Sequence, residues 1–113
     1  MTLMKKIIAL SLTLLAAGAV AAHAADAKAL WDKNCKKCHG EDGKGKAPMG
    51  RKLGVKDYTS AKVQEELKDD EMAKAIKEGV KKDGETRMKS FADALSDDEV
   101  KSLIAYIRKM KGK

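Results

Sequence analysis

Apolar residues recur at helical spacing in four stretches of this chain, and this pattern predicts four helices. The stretches extend from about Asp26 to Cys38, from Ser60 to Leu67, from Asp70 to Glu78, and from Ser96 towards the C-terminus. Gly79 directly follows the third stretch, where glycine is a typical helix stop. Because no stretch alternates convincingly between apolar and polar residues, the pattern predicts an all-α fold.

The last helix has the clearest start signal. Ser96 is followed three residues later by Glu99, a pair that forms a capping box. Leu95 and Val100 occupy the positions of a hydrophobic staple. The predicted inward positions on the four helices are Ala27, Leu30, Trp31, Asn34 and Cys38; Val63 and Leu67; Met72, Ala73 and Ile76; and Val100, Leu103, Ile104 and Ile107.

Two segments lack helical spacing and are predicted to be loops. Gly40 to Gly54 is rich in glycine and lysine and contains the only proline, Pro48. Lys81 to Leu95 contains Met88. Neither segment has the composition of a linker between domains, so the region after the N-terminal leader is predicted to be one domain.

The N-terminus is typical of a secretory signal peptide. Lys5 and Lys6 precede an apolar run from Ile7 to Ala22, and Ala22-His23-Ala24 is a small-x-small cleavage site. The run is shorter than the roughly 20 residues that span a bilayer, although an uncleaved membrane anchor is the alternative. The sequence therefore predicts a signal peptide at residues 1–24 and an exported, periplasmic domain at residues 25–113.

Cys35, Cys38 and His39 form the motif C-x-x-C-H, the attachment signature of a c-type haem. Thiols three positions apart lie about one helical turn apart, so both can bond to the two vinyl groups of one porphyrin. The adjacent imidazole is then held at the iron. The chain has no other cysteine, so the motif predicts one covalently attached haem c with its iron.

Three other interpretations of the cysteines are weaker. A thioredoxin-like pair would need a βαβ context, which the helical pattern does not offer. A structural zinc site would need four ligands, and only three candidates lie together. A structural disulfide is compatible with an oxidising compartment, but it gives no reason for the adjacent histidine.

The second axial ligand is predicted to be Met88. His23 leaves with the signal peptide, so His39 is the only histidine of residues 25–113, and ligation by two histidines of one chain is excluded. The sixth ligand is then a methionine, a lysine, a weaker group or none. Met72 and Met110 lie on apolar helical patterns, where methionine is usually a core residue. Met49 follows His39 too closely to reach the opposite face easily, whereas Met88 lies in a loop far enough along the chain.

The chain resembles the small class I c-type cytochromes. The resemblance covers essentially all of residues 25–113. Four segments of the sequence match the pattern of that family: the C-x-x-C-H motif, the segment His39-Gly40-Glu41-Asp42-Gly43-Lys44-Gly45, the stretch Met88-Lys89-Ser90-Phe91, and the helix from Leu95-Ser96-Asp97-Asp98-Glu99-Val100 to Ala105-Tyr106-Ile107.

This resemblance implies a cytochrome c fold in which the helices surround one haem, and residues 25–113 would form a monohaem cytochrome c domain. It also makes Met88 the distal axial ligand, packs Trp31 against Tyr106, and lets the carbonyl of Pro48 accept a hydrogen bond from the proximal histidine. The chain departs from the family twice. Ala27 stands where glycine is frequent at the helix crossing, and Lys89 stands where proline commonly follows the axial methionine, which leaves the distal loop less rigid.

Charge is distributed unevenly along the chain. The formal net charge is +7, and loss of Lys5 and Lys6 with the leader lowers it to +5. A basic segment, residues 33–56, precedes an acidic segment, residues 57–71. Such runs are commonly only solvated surface, but the basic segment flanks the haem motif. It therefore predicts steering towards redox partner proteins with an acidic docking patch. Nucleic-acid binding is disfavoured because the protein is exported.

The expected function is that of a soluble, monomeric, periplasmic electron carrier that shuttles single electrons through a His/Met-ligated haem, without enzyme activity and without a membrane anchor after signal cleavage. The site residues would be Cys35, Cys38, His39 and Met88. Two alternatives remain open. The chain would instead be an electron-transfer subunit of a haem enzyme or dehydrogenase, or a gas-binding haem sensor with an open iron position.

Overall fold

The computed structural model describes residues 26–113, and the predicted signal peptide at residues 1–24 lies outside that range. Helix α1 comprises residues 26–34. The elements that follow it are α2 (Lys36–His39), α3 (Pro48–Leu53), α4 (Ala61–Glu66), α5 (Asp69–Glu78), strands β1 (Val80–Lys82) and β2 (Glu85–Met88), and α6 (Asp97–Arg108). No helix within residues 26–113 combines the length and the apolar character needed to cross a membrane.

The predicted all-α class is confirmed, with one small addition. β1 and β2 form a two-stranded antiparallel hairpin inside the segment that was predicted to be a loop. Asp83 (φ 53°) and Gly84 (φ 77°) make its turn, and Asp-Gly is a preferred pair for such a turn. The hairpin escaped prediction because every residue of β1 is exposed, so its sequence shows no alternation of apolar and polar residues.

Helix α3 was also wrongly predicted as loop. Pro48 opens it and Gly54, in the left-handed conformation, closes it, which is the usual placement of these two residue types. The helix has six residues and buries only Gly50, so it offers no apolar stripe to detect. The first predicted helix differs as well, because a turn at Cys35 divides it into α1 and α2.

Helix α6 forms as predicted. The hydroxyl of Ser96 accepts a hydrogen bond from the backbone N–H of Glu99, and the carboxylate of Glu99 accepts one from the backbone N–H of Ser96, so the capping box is complete. Leu95 and Val100 are both buried. The core contains all four predicted positions of α6, and its buried members are Trp31, Met72, Ile76, Phe91, Leu95, Val100, Leu103, Ile104, Ile107 and Met110.

The predicted crossing of the first and last helices is confirmed. The ring centroids of Trp31 and Tyr106 are 5.7 Å apart, with the ring planes inclined at 45°. Trp31 is only 1% exposed, and Ala27, one turn earlier on α1, is 3% exposed. A small side chain at position 27 therefore sits in the buried part of the crossing, where the resemblance expects glycine or a residue nearly as small.

A buried polar side chain ties α4 to α6. Gln64, rather than the predicted Val63, is the buried residue of α4. Its Nε2 donates hydrogen bonds to the carbonyls of Tyr58 (2.7 Å) and Ile107 (2.9 Å), and its Oε1 accepts one from Arg108 (2.9 Å). The burial is tolerated because the amide is fully hydrogen-bonded, a compensation that an apolar pattern cannot reveal.

Replacement of Trp31 by alanine should destabilise the protein by about 3–5 kcal/mol, the usual cost of truncating a buried aromatic residue. This is a large share of the roughly 5–15 kcal/mol that holds a typical domain folded. Thermal unfolding of the haem-loaded protein measures the change. Met49→Ala is the control, because Met49 is 40% exposed and its truncation leaves no buried cavity. An unchanged melting curve for Trp31→Ala would show that the crossing does not depend on this ring.

Candidate functional site

A cleft with mostly apolar walls opens between the C-x-x-C-H motif and the elements α5, β2 and α6. Its enclosed volume is about 100 Å³, and its mouth is open to solvent. Residues of α1, α2, α5, α6 and β2, and of the segments between the helices, line it: Trp31, Cys35, His39, Tyr58, Leu67, Glu71, Met72, Ala75, Ile76, Met88, Leu103 and Ile107. Three of the four predicted site residues, Cys35, His39 and Met88, therefore share one cleft.

The two cysteines lie at the junction of α1 and α2. Cys35 precedes α2 and lines the cleft, and Cys38 lies within α2, half-buried, outside the set of lining residues. The backbone N–H groups of Cys38 and His39 both donate to the carbonyl of Cys35, at 3.3 and 3.0 Å. The two thiols are not joined in a disulfide. Burial, aided by the neighbouring Cys38, raises the pKa of Cys35 to about 11, so its thiol stays protonated at neutral pH.

His39 is buried between two aromatic rings. Its ring stacks on Tyr58, with centroids 5.3 Å apart, and lies 5.7 Å from the ring of Trp31. Burial lowers the pKa of the imidazole below its ordinary value, so the ring is neutral at pH 7. The neutral imidazole is the form that binds a metal.

One nitrogen of His39 has no hydrogen-bond partner. Nδ1 is buried, and nothing within residues 26–113 bonds to it. The bond to the carbonyl of Pro48, which the resemblance implied, is absent. Pro48 is the first residue of α3, so its carbonyl is directed along that helix. Because Nδ1 is buried away from the cleft space, the other ring nitrogen, Nε2, is the one that a ligand in the cleft would bind.

Close backbone contact fixes α3 against the haem motif. A Cβ added at Gly50 would lie 2.0 Å from the carbonyl oxygen of Cys38 and 2.9 Å from that of Gly45. Only glycine permits this approach. The backbone N–H of Gly45 also donates to the carbonyl of His39 at 3.0 Å. The segment after the motif therefore folds back and supports it from outside the cleft.

Tyr58 is a site residue that the sequence analysis missed. It packs on His39 and lines the cleft, and burial together with the nearby Cys35 raises its pKa to about 12, so its phenol stays neutral. Its position is fixed from behind by the hydrogen bond from Gln64 to its carbonyl. The sequence offered one signal for this role. Residues 25–113 contain only four aromatic side chains besides histidine, so each of them is a candidate for the core or the site.

The four methionines of residues 26–113 lie in different environments. Met88, at the end of β2, is half-buried and lines the cleft, and Met72 lines it from α5. Met110 is buried, as predicted for a core residue, and contacts the loop at Gly43. Met49 is exposed on α3 and is not a lining residue. Two thioethers, those of Met72 and Met88, are therefore available to a ligand in the cleft.

The residues of the cleft fit a haem c. A free thiol, a neutral imidazole and a thioether line the same apolar space, and these are the groups that hold a covalently bound haem. Elsewhere in residues 26–113, no three side chains of His, Cys, Asp or Glu are grouped so that they could hold a metal ion.

Comparison with known proteins agrees with this geometry. The family model Cytochrome c matches residues 24–111. The solved structure of KustC0563, a c-type cytochrome, is 31% identical with a TM-score of 0.66, and the match covers 74% of this chain and 95% of that one. A tyrosine-to-phenylalanine mutant of the same protein matches with 31% identity and a TM-score of 0.66, over 76% of this chain and 99% of that one.

No curated protein matches the chain. The family model nevertheless spans almost all of the described residues, and the solved relatives share the fold over nearly their whole length. The chain therefore belongs to the cytochrome c family, which carries covalently attached haem c and uses its iron for electron transfer.

Proposed function

We propose that this protein is a monohaem, class I c-type cytochrome that shuttles single electrons between larger redox proteins in the periplasm, after removal of a signal peptide at residues 1–24. The observation that carries the proposal is that Cys35, His39 and Met88 line one apolar cleft. The domain would comprise residues 25–113.

In this proposal Cys35 and Cys38 hold the haem by thioether bonds, His39 is the proximal iron ligand and Met88 the distal one. The bound haem supplies a couple between ferric and ferrous iron. Burial keeps His39 neutral and available, and a thioether opposite a histidine raises the reduction potential. Trp31, Tyr58 and Ile76 form apolar walls that exclude water from the site.

The main alternatives are a gas-binding sensor and an electron-transfer subunit of a haem enzyme or dehydrogenase. A sensor or an enzymatic haem needs an open position on the iron. Met88 and Met72 line the same cleft as His39, and a thioether bound to the iron would close that position, which favours a carrier without enzyme activity over both. A free carrier and a subunit of a larger enzyme would use the same haem site and differ only in whether the protein is bound to a partner. The two roles are distinguished by whether the protein is isolated as the proposed monomer.

The proposed redox partner presents an acidic docking patch. Lys36 and Lys37 are exposed on α2, within the haem motif, and Arg51 and Lys52 are exposed on α3, which packs against Cys38. The exposed acids of the acidic segment lie on α4 and the first turn of α5, and one of them, Glu71, lines the cleft itself. The expectation that the acidic segment lies away from the haem is therefore wrong for Glu71, and the proposed docking side is limited to the exposed bases of α2 and α3, which favour acidic proteins and give no role to nucleic acid.

The mass of the exported protein tests attachment and processing together. It should equal residues 25–113 plus one haem. Cys35→Ala and Cys38→Ala should each leave the haem attached by one thioether bond or lost altogether, and only the variant that lacks both cysteines should have no haem that resists acid extraction. A mass equal to the bare polypeptide would refute the proposal.

Replacement of Met88 by alanine tests the distal ligand. The variant should lose the weak sulfur-to-iron charge-transfer band of the ferric protein, admit carbon monoxide to the reduced iron and have a lower reduction potential, because thioether sulfur favours ferrous iron. Absorption spectra and potentiometry measure all three properties.

Two methionine variants are the controls for this test. Met49→Ala changes an exposed side chain outside the cleft, and Met72→Leu keeps the apolar volume of the rival thioether inside it. Both should retain the band. If Met72→Leu removes the band and Met88→Ala keeps it, the distal ligand is Met72 and our assignment is wrong.

Charge reversal tests the docking side. Lys36→Glu and Lys37→Glu should slow electron transfer with an acidic partner, measured by stopped-flow kinetics. Lys62→Glu and Lys68→Glu are matched controls, because these lysines are equally exposed but lie in the acidic segment, and they should have much less effect.

The same kinetics should depend on salt. The Debye length falls from about 10 Å at 0.1 M to about 3 Å at 1 M, so the rate for the parent protein should fall as salt rises. Equal effects of the two variant pairs would mean that only net charge matters. A rate that rises with salt would indicate a basic partner.

A further inference from the structure

The backbone around Met88 is anchored to the C-terminal end of α5. Just after Met88, the hydroxyl of Ser90 donates a hydrogen bond to the carbonyl of Lys77. The N–H of Phe91 donates to the carbonyl of Ile76 at 2.9 Å. On the N-terminal side of Met88, β2 pairs with β1, and Gly79 is the one residue between β1 and α5. The position of Met88 is therefore set by how closely its strand approaches this helix end.

Gly79 is the point of closest approach. It caps α5 with φ 79° and ψ −179°, a conformation that is essentially restricted to glycine. A Cβ at this position would lie 2.6 Å from the carbonyl oxygen of Met88 and 2.9 Å from the amide nitrogen of Ser90. Both atoms belong to the backbone, so the clash could not be relieved by rotation of a side chain.

The hairpin has an irregular register next to Met88. Val80 pairs with Met88 and Lys81 pairs with Thr86, so Arg87 has no partner in the ladder and forms a bulge. Bulges redirect the neighbouring side chain, and they are common beside functional sites. The bulge lies directly between the regular part of the hairpin and Met88.

We propose that Gly79 is a positioning residue for Met88: the contact between its bare Cα and the backbone of residues 88–90 sets how far the thioether reaches into the haem cleft. This inference rests on the proposed assignment of Met88 as the distal ligand. Sites of this kind need placement within about 0.5 Å, and a Cβ at residue 79 would push the strand by a comparable distance.

The test compares Gly79→Ala with Gly84→Ala in the full haem-loaded protein. Both glycines have a positive φ, near 79° and 77°, but a Cβ at Gly84 meets nothing within 4 Å. Gly79→Ala should weaken the charge-transfer band and speed the binding of carbon monoxide to the reduced protein about tenfold, which corresponds to about 1.4 kcal/mol of lost iron–sulfur bonding. Gly84→Ala should keep the parent values.

Thermal unfolding, recorded in parallel, shows whether each variant is folded during these measurements. If the two glycine variants bind carbon monoxide at the same rate, the inference is wrong. Met88→Ala separates this failure from failure of the proposed function. If Met88→Ala leaves the iron closed to carbon monoxide, the ligand assignment fails and the inference with it. If Met88→Ala opens the iron while the glycine variants are equal, only the inference fails.

A second pair decides the question if Gly79→Ala does not fold. Ser90→Ala removes the hydrogen bond to Lys77 that holds the same strand, and Ser102→Ala removes a comparable hydrogen bond from a serine hydroxyl to the carbonyl of Asp98 within α6. Ser90→Ala should speed the binding of carbon monoxide and Ser102→Ala should not. Equal rates for this pair would overturn the inference.

Discussion

The burial of Trp31 joins the core of this protein to its haem site. The indole lies on α1 with its ring 5.7 Å from Tyr106 of α6, and it also lies 5.7 Å from His39. Its Nε1 donates a 3.0 Å hydrogen bond to the carbonyl of Gly40, directly after the haem motif. One side chain therefore contributes both to the helix crossing and to the orientation of the motif.

The opposite wall of the cleft is built differently, from backbone rather than from aromatic packing. The strand that carries Met88 is tied to the end of α5 by hydrogen bonds from Ser90 and Phe91. Lys89, which stands where the family commonly has proline, places its ammonium group 5.2 Å from the centre of the Phe91 ring. These contacts and the hairpin restrain the segment that proline would otherwise stiffen. An electron carrier benefits from such restraint, because iron ligands held in both oxidation states keep the rearrangement during transfer small.

Sequence motifs predicted the parts of the fold whose structure is determined by residues adjacent in the chain. The cap of α6 at Ser96 and the glycine stop at Gly79 form because side chains or backbone next to them satisfy the helix ends. The C-x-x-C-H motif likewise identified the haem from adjacent residues. The missed features have no apolar pattern in the sequence that marks them. The burial of Gln64 needs carbonyls of Tyr58 and Ile107, and the hairpin shows no apolar alternation because its first strand is fully exposed. The bond from His39 to Pro48 was expected from resemblance alone, and it is absent because the carbonyl of Pro48 does not meet Nδ1 of His39.

The central claim is that a haem lies in the cleft between His39 and the thioether of Met88. The proton NMR spectrum of the reduced, haem-loaded protein tests it most directly, with each methionine methyl group assigned by labelling. A methyl group bound to the iron through its sulfur lies over the porphyrin face, where the ring current shifts its resonance strongly upfield. We predict one such methyl resonance, and we predict that it belongs to Met88. An upfield resonance that belongs to Met72, or the absence of any shifted methionine methyl, would contradict the account.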